Sequence, residues 1–143
     1  MSAMEIRRMQ RRDLAQVLTL YSELMTDADY AAHAEEHFIR LQQLENTHLL
    51  IAVQGDDVLG TALGVICQGL TERFLVVEDV VVHPAARGQG VGMQLMDALD
   101  EIARRGGCTY AILVSSAFRT GAHAFYHRAG YTDTVVGFRK LYQ

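Results

Sequence analysis

At 143 residues and 15.9 kDa, with 50% of residues hydrophobic and 21% charged, the chain has the composition of one globular domain over 1–143, large enough to enclose a core and too apolar to be disordered. A net charge of −4 argues against a general electrostatic grip on nucleic acid. No apolar run reaches the roughly 18 residues that a membrane span needs, and the opening Met1-Ser-Ala-Met-Glu-Ile-Arg-Arg8 lacks the apolar centre of a signal peptide.

In chain order, Met4, Ile6 and Met9 predict a short strand over 4–9. Asp13 suits a helix N-terminus, and Leu14, Val17, Leu18, Tyr21, Leu24 and Met25 recur at three- and four-residue spacing, which predicts a helix over 12–25. The polar break Thr26-Asp-Ala-Asp29 precedes a second predicted helix over about 30–45, with Phe38, Leu41 and Leu44 as its apolar stripe. The period then changes. Leu49 to Val53 is a strand, Gly55-Asp-Asp57 a hairpin turn, and Val58 to Gln68 the return strand, where Gly60 and Gly64 suggest a bulge or a close backbone approach. Phe74 to Val82 is apolar almost throughout, as expected of a central strand covered on both faces. A helix from Val91 carries Leu95, Met96, Leu99, Ile102 and Ala103 inward and ends at Gly106-Gly107. Tyr110 to Val114 is another buried strand, 120–129 a short helix, and 131–142 one or two closing strands. The order predicts an α/β (α+β) fold: a mixed, partly parallel twisted sheet of about six or seven strands with about four helices. The strands either side of the helix at 91 should be parallel neighbours.

The chain is organised around Val76 to Leu95. An apolar run holding Glu78 and Asp79 breaks at Pro84, the one proline in the sequence, and glycines follow at 88, 90 and 92 before a helix begins. A glycine-rich turn feeding a helix N-terminus is an anion site, because its N–H groups lack intrahelical partners. A dinucleotide fingerprint needs a third glycine at 93, which is Met93, and a P-loop needs Gly-Lys-Ser/Thr, which is absent. What fits is Arg87-x-x-Gly90-x-Gly92 after Val-Val-His-Pro84. This resembles the acetyl-CoA signature of the GNAT N-acetyltransferase family. Ala124-Phe-Tyr-His-Arg-Ala-Gly-Tyr131 resembles the family's second marker, and the order of elements matches from end to end.

The resemblance implies a GNAT-like acyl-CoA N-acyltransferase fold in which Arg87, Gly88, Gln89, Gly90, Val91, Gly92 and Met93 hold the pyrophosphate of acetyl-CoA. It implies that the backbone of Val80, Val81 and Val82 pairs with the pantetheine arm, and that an amide near Val80 receives the oxyanion. Tyr126 matches the tyrosine placed near the coenzyme sulfur, where a phenol can protonate the leaving thiolate. Glu78, then Asp79, are the candidates for taking the proton of the acceptor amine, and as strand neighbours they should face opposite ways. Many relatives carry Asn where this chain has Arg119, with Ser115 and Ser116 upstream, so Arg119 is a candidate contact to coenzyme phosphate or to an anionic substrate group.

His33-Ala-Glu-Glu36-His37 formally matches an inverted zinc-protease pattern, but no third ligand is marked and the glycine loop is left unexplained. No metal is expected. His33, Glu36 and His37 are instead candidates for selecting the acceptor, since in this family the region after the first helix borders its pocket. The two cysteines, Cys67 and Cys108, sit in no nucleophile motif and read as reduced thiols of a cytoplasmic protein. The sequence thus reads as an N-acetyltransferase moving acetyl directly from acetyl-CoA to a primary amine of a small molecule, without nucleic-acid or membrane partners. The run Ala122-His-Ala-Phe-Tyr-His-Arg-Ala-Gly-Tyr131 is similar to that of bacterial enzymes acting on aminoalkylphosphonates. A protein or N-terminal amine acceptor, and a non-catalytic acyl-CoA-binding module, are the alternatives. Homodimers are common for such folds.

Overall fold

The structure is a computed structural model that describes residues 3–25, 27–115 and 120–142. Strand β1 (Met4–Arg8) leads through a 3-10 turn (Arg11–Asp13) into helix α1 (Leu14–Tyr21), then α2 (Ala34–Gln42). The hairpin β2 (Thr47–Gln54) and β3 (Asp57–Gln68) follows, then β4 (Arg73–Val82), a 3-10 turn (Pro84–Ala86), α3 (Val91–Arg105), β5 (Tyr110–Leu113) and α4 (Thr120–Arg128). The five strands lie side by side in chain order. The first four are antiparallel neighbours, and β5 runs parallel to β4, as a helical crossover through α3 requires.

Two apolar clusters cover the two faces. Leu50, Ala52, Ala62, Leu75 and Val77 pack under α3 through Leu95, Met96 and Leu99, which are 0–1% exposed. Ile51, Val53, Val58 and Val81 pack on the opposite face with Val17 and Leu20 of α1 and Phe38 of α2. Each of the α3 side chains contributes about 1.5–3 kcal/mol by burial. The approach of α3 is close because Gly64 has no side chain: a methyl group there would sit 2.7 Å from Leu99 Cδ2.

Where expectation and structure differ, local hydrogen bonds explain the difference. Helix α1 stops at Tyr21 rather than 25, since Glu23 and Leu24 donate to carbonyls three residues back and the Ser22 hydroxyl donates to Thr19 O at 2.6 Å. Helix α2 starts at Ala34 rather than near 30, after an Asx turn in which Asp27 Oδ1 accepts from the Asp29 N–H at 2.9 Å. The sheet has five strands rather than six or seven, because 131–142 pairs with no strand among the described residues. Its β-forming composition is real, but a strand exists only with a hydrogen-bonded neighbour. Among the described residues no helix is long and apolar enough to cross a membrane.

The first strand is tied to α1 by a part-buried ion pair. The Arg7 guanidinium grips both oxygens of Asp13 at 2.8 and 2.9 Å, and the Gln10 N–H donates to the same carboxylate at 2.7 Å. These hydrogen bonds, the Arg7 pair first, hold the Asp13 pKa below its ordinary 3.8. A lowered folded-state pKa means stability that is present above 3.8 and lost as pH falls through the lowered value. Asp13→Asn should therefore cost roughly 2–4 kcal/mol at pH 7. Urea titrations should show the gap to the parent chain closing in acid, where the parent loses the same interaction.

Candidate functional site

The site grows from a break in the pairing of β3 with β4. Leu63 pairs with Glu78 and Thr61 with Val81, so β4 takes three steps where β3 takes two and carries one extra residue. Within this bulge Asp79 has φ +52°, the left-handed region that side-chain-bearing residues rarely adopt. The extra residue reverses the faces of the strand. Leu75 and Val77 face the α3 cluster before the bulge, Val80 and Val82 pack against it afterwards, and Val81 joins the α1 cluster. The pairing of β4 with β5 ends at Val77 and Leu113, while β4 continues to Val82. Among the described residues no pairing of β4 with β5 follows this one.

A cavity of about 880 Å³ lies against the free half of β4. Its walls are Val80, Val81 and Val82, the loop residues Ala86, Arg87, Gly88 and Gly90, the start of α3 at Val91, Gly92 and Met93, Glu23 beyond α1, and Gly121, Ala122, Phe125, Tyr126 and Arg128 of α4. The loop is held from its start: the His83 N–H donates to Leu59 O at 2.7 Å, and His83 Nδ1 accepts from the Ala85 N–H at 3.0 Å. Gly88 and Gly90 have φ +80° and +82°, which a side chain would strain by about 1–3 kcal/mol. Gly90 is also the N-cap of α3, so no side chain caps the helix and no acidic residue stands in its first turn. The N–H groups and positive dipole end of α3 are thereby available to an anion.

The three glycines have different jobs. A methyl group on Gly92 would meet the Phe125 ring at 3.0 Å and Val82 Cγ2 at 3.4 Å, so this glycine lets α4 close on α3. Phe125 in turn meets Tyr126 edge-on at 5.3 Å, and Tyr126 meets Tyr131 edge-on at 6.3 Å. The Tyr131 hydroxyl is buried without a hydrogen-bond partner among the described residues. Burial first, then the charges of Asp100 and Tyr126, push its pKa up to about 12.

Of the residues singled out in the sequence, Val80, Val81, Val82, Arg87, Gly88, Gly90, Val91, Gly92, Met93 and Tyr126 meet at this cavity. Gln89 is not part of its wall; its side-chain amide reaches back to Ala85 O at 3.5 Å. Glu78 and Asp79 stand outside the wall on the adjoining bulge, Glu78 exposed and Asp79 half-buried. Burial raises both carboxyl pKa values, and the charge of Asp79 raises that of Glu78 further. Tyr21 of α1, also raised, feels burial and then Asp79. His33, Glu36 and His37 are not part of its wall; the two imidazoles are 6.3 Å apart and His33 Nδ1 is 3.7 Å from Glu36 in a solvated cluster. Among the described residues no three His, Cys, Asp or Glu side chains form a group that could hold a metal ion. Arg119 and Ser116 lie outside the described residues.

The sequence reading missed Glu23 and Arg128. Arg128 lies inside the second motif and could have been flagged as a cation beside an anion site. Glu23 carried no signal, because only folding brings it to Arg87, whose guanidinium is 3.7 Å from its carboxylate.

A model of the acetyltransferase (GNAT) family matches residues 14–131, from α1 through Tyr131. The chain belongs to the GNAT family. It is an N-acetyltransferase dependent on acetyl-CoA. The aminoalkylphosphonate N-acetyltransferase of Salmonella typhimurium is 29% identical over 98% of this GNAT chain and 92% of its own length. A solved structure, titled a transcriptional regulator from Bacillus halodurans C-125, superposes with a TM-score of 0.88 at 25% identity over 98% of this chain and 100% of that one. An aminoglycoside N-acetyltransferase solved with CoA shares the fold at 22% identity, with a TM-score of 0.82 over 98% and 96% of the two chains.

A carboxylate paired to the signature arginine of a GNAT loop competes with any phosphate for that arginine. Both partners are partly solvated, so the effect is small. Glu23→Gln should tighten CoA binding roughly 2- to 5-fold at low salt. Calorimetric titration at low and high ionic strength checks this, and the gain should shrink as salt rises.

Proposed function

We propose that this chain transfers acetyl from acetyl-CoA directly to the primary amine of a small-molecule acceptor, as one cytoplasmic domain over 1–143 without a metal. The observation that carries the reading is that both sequence motifs converge on one cavity, with Tyr126 across from the glycine loop and the exposed backbone of β4. The groups present suit coenzyme A. The uncapped start of α3, the amides around Gly88 and Gly90, and Arg87 offer converging donors and positive charge for a pyrophosphate. Val80, Val81 and Val82 offer strand backbone to an amide-bearing arm, beyond the point where β5 stops pairing. Bound there, acetyl-CoA supplies an activated acyl group.

The chain's own residues then divide the proton work. A carboxylate on the β4 bulge receives the proton of the incoming ammonium, so that the amine can act as nucleophile. Burial, which raises the Glu78 and Asp79 pKa values, makes each a better base than a solvated carboxylate. Asp79 is held in a strained backbone conformation beside the cavity, and Glu78 is more open to solvent, so either can serve directly or through water. Tyr126 delivers a proton to the leaving thiolate from the opposite wall. Arg87 and the α3 terminus orient the donor, and the α1 side bounds the acceptor.

The name of the Salmonella relative makes aminoalkylphosphonates the first acceptors to test, with amino sugars, aminoglycosides and N-terminal peptides completing a panel. Thiol release from acetyl-CoA with a small amine is the expected result. Turnover confined to peptides would move the acceptor to proteins, and tight CoA binding without turnover on any amine would reduce the chain to a binding module. With an acceptor in hand, Tyr126→Phe should lower kcat about 10²–10⁴-fold while CoA binding persists. The base must be ionised to act, so kcat/KM should rise with pH along a limb displaced above the ordinary carboxylate values of 3.8 and 4.5. Whichever of Asp79→Asn and Glu78→Gln removes that limb identifies the base.

A further inference from the structure

Strand β4 hands over to the glycine loop at His83, and the first turn of the loop depends on that side chain. Pro84 has no N–H, so Ala85 carries the first one of the 3-10 turn. His83 Nδ1 accepts it at 3.0 Å, His83 O accepts the Ala86 N–H at 2.9 Å, and Pro84 O accepts from Arg87 at 3.5 Å. The turn is fixed at both ends. The His83 N–H donates to Leu59 O of β3 at 2.7 Å, and Ala86, 4% exposed, sits in the α3 cluster. Arg87 and Gly88 leave the turn directly into the cavity wall. A backbone N–H can only donate. His83 Nδ1 must therefore be the bare nitrogen of a neutral imidazole whose proton is on Nε2.

We propose that His83 is a positioning residue for the coenzyme: its neutral imidazole caps the turn that aims Arg87 and the amides around Gly88 and Gly90, and a proton on Nδ1 releases that turn and weakens the hold on the pyrophosphate. The proposal rests on the reading of this loop as the pyrophosphate site. With both ring nitrogens protonated, two N–H groups face each other and the cap is lost. Acid therefore draws the loop away from its capped arrangement. An opposing effect exists, since an imidazolium attracts a pyrophosphate. His83 is exposed and outside the cavity wall, so solvent and salt screen that attraction. The other charged groups around the loop come from several elements. Strand β3 brings Asp57, two residues before Leu59, and α3 brings no titratable side chain before Asp97. Arg87 and Glu23 pair with each other at 3.7 Å, and Arg128 of α4 lines the cavity. Among the described residues no ion pair reaches His83.

Calorimetric titration with dephospho-CoA from about pH 7.5 to about pH 5.5 tests the proposal, across the range in which imidazoles gain a proton. This probe keeps an ionised pyrophosphate throughout and lacks the phosphate monoester of CoA, which would itself titrate. The unaltered chain should lose about 3- to 10-fold in affinity on acidification, the worth of one cap. His83→Asn offers an acceptor that does not titrate. It should match the parent at about pH 7.5 and stay within about 2-fold of that affinity in acid. His83→Ala should be weaker by about 3- to 10-fold at both ends of the range. An Asn variant that falls with the parent, an Ala variant that binds like the parent, or an affinity that rises in acid overturns the proposal. Gly90→Ala separates it from the reading it rests on. Binding that Gly90→Ala leaves unchanged removes the loop as the pyrophosphate site, and the proposal with it. Binding that Gly90→Ala weakens, with histidine variants that follow the parent, keeps the loop and sinks only the role of His83. Nitrogen NMR of the imidazole in the unaltered chain needs no variant to fold: a bare Nδ1 at about pH 7.5 supports the cap, and a protonated Nδ1 overturns it.

Discussion

One residue too many in β4 is the constraint on which the rest of this structure depends. A strand presents alternate residues to alternate faces, so Leu75, Val77, residue 79 and Val81 would share the α3 side in an unbroken ladder. The bulge between Glu78 and Val81 exchanges the faces instead, sending Val81 to the α1 cluster and Val80 and Val82 toward α3 and the cavity. It also carries a carboxylate, Asp79, in a backbone conformation normally left to glycine. The core can accept this because β4 is clamped on both sides, by thoroughly buried residues of α3 and of α1.

The cavity follows from that bulge together with the length of β5. Four residues of β5 pair with Phe74–Val77, and the free half of β4 beyond them faces α4 across open space. The glycine loop then sets the far wall. Gly88 and Gly90 turn the chain so that α3 starts without a side-chain cap, and Gly92 brings α4 in to close the floor. Opposite charge placements flank this opening. The bare dipole end of α3, Arg87 and Arg128 gather positive charge on its wall, with Glu23 as the acidic residue of that wall, while the bulge carboxylates stand outside it.

Much of this was legible in the sequence. The helix from Val91 announced itself by apolar spacing and ended at Gly106, one residue from a left-handed Gly107. The parallel pairing of β4 with β5 followed from the helical crossover, and the two motifs, spaced by one strand, pointed to the family that the chain belongs to. These features are local: they depend on periodicity, on backbone permission at glycine and proline, and on residues within a few positions of one another.

What only the tertiary structure decided is non-local. The expected opposite-facing pair Glu78 and Asp79 became a bulge, because strand alternation holds only while both partners keep step, and the step was broken by pairing with Thr61 and Leu63. Gly92 proved to serve packing against Phe125, a contact set by a helix thirty-odd residues further along. Glu23 reached Arg87 across the fold, and His33, Glu36 and His37 stand exposed and outside the cavity wall. The β-forming run at 131–142 pairs with no strand among the described residues. Sequence by itself determined which segments can be helix, strand or anion loop, since those preferences reside in each residue's own backbone and side chain. The assignment of faces, partners and neighbours waited for three dimensions, because hydrogen-bond register and burial belong to pairs of segments and to neither one separately.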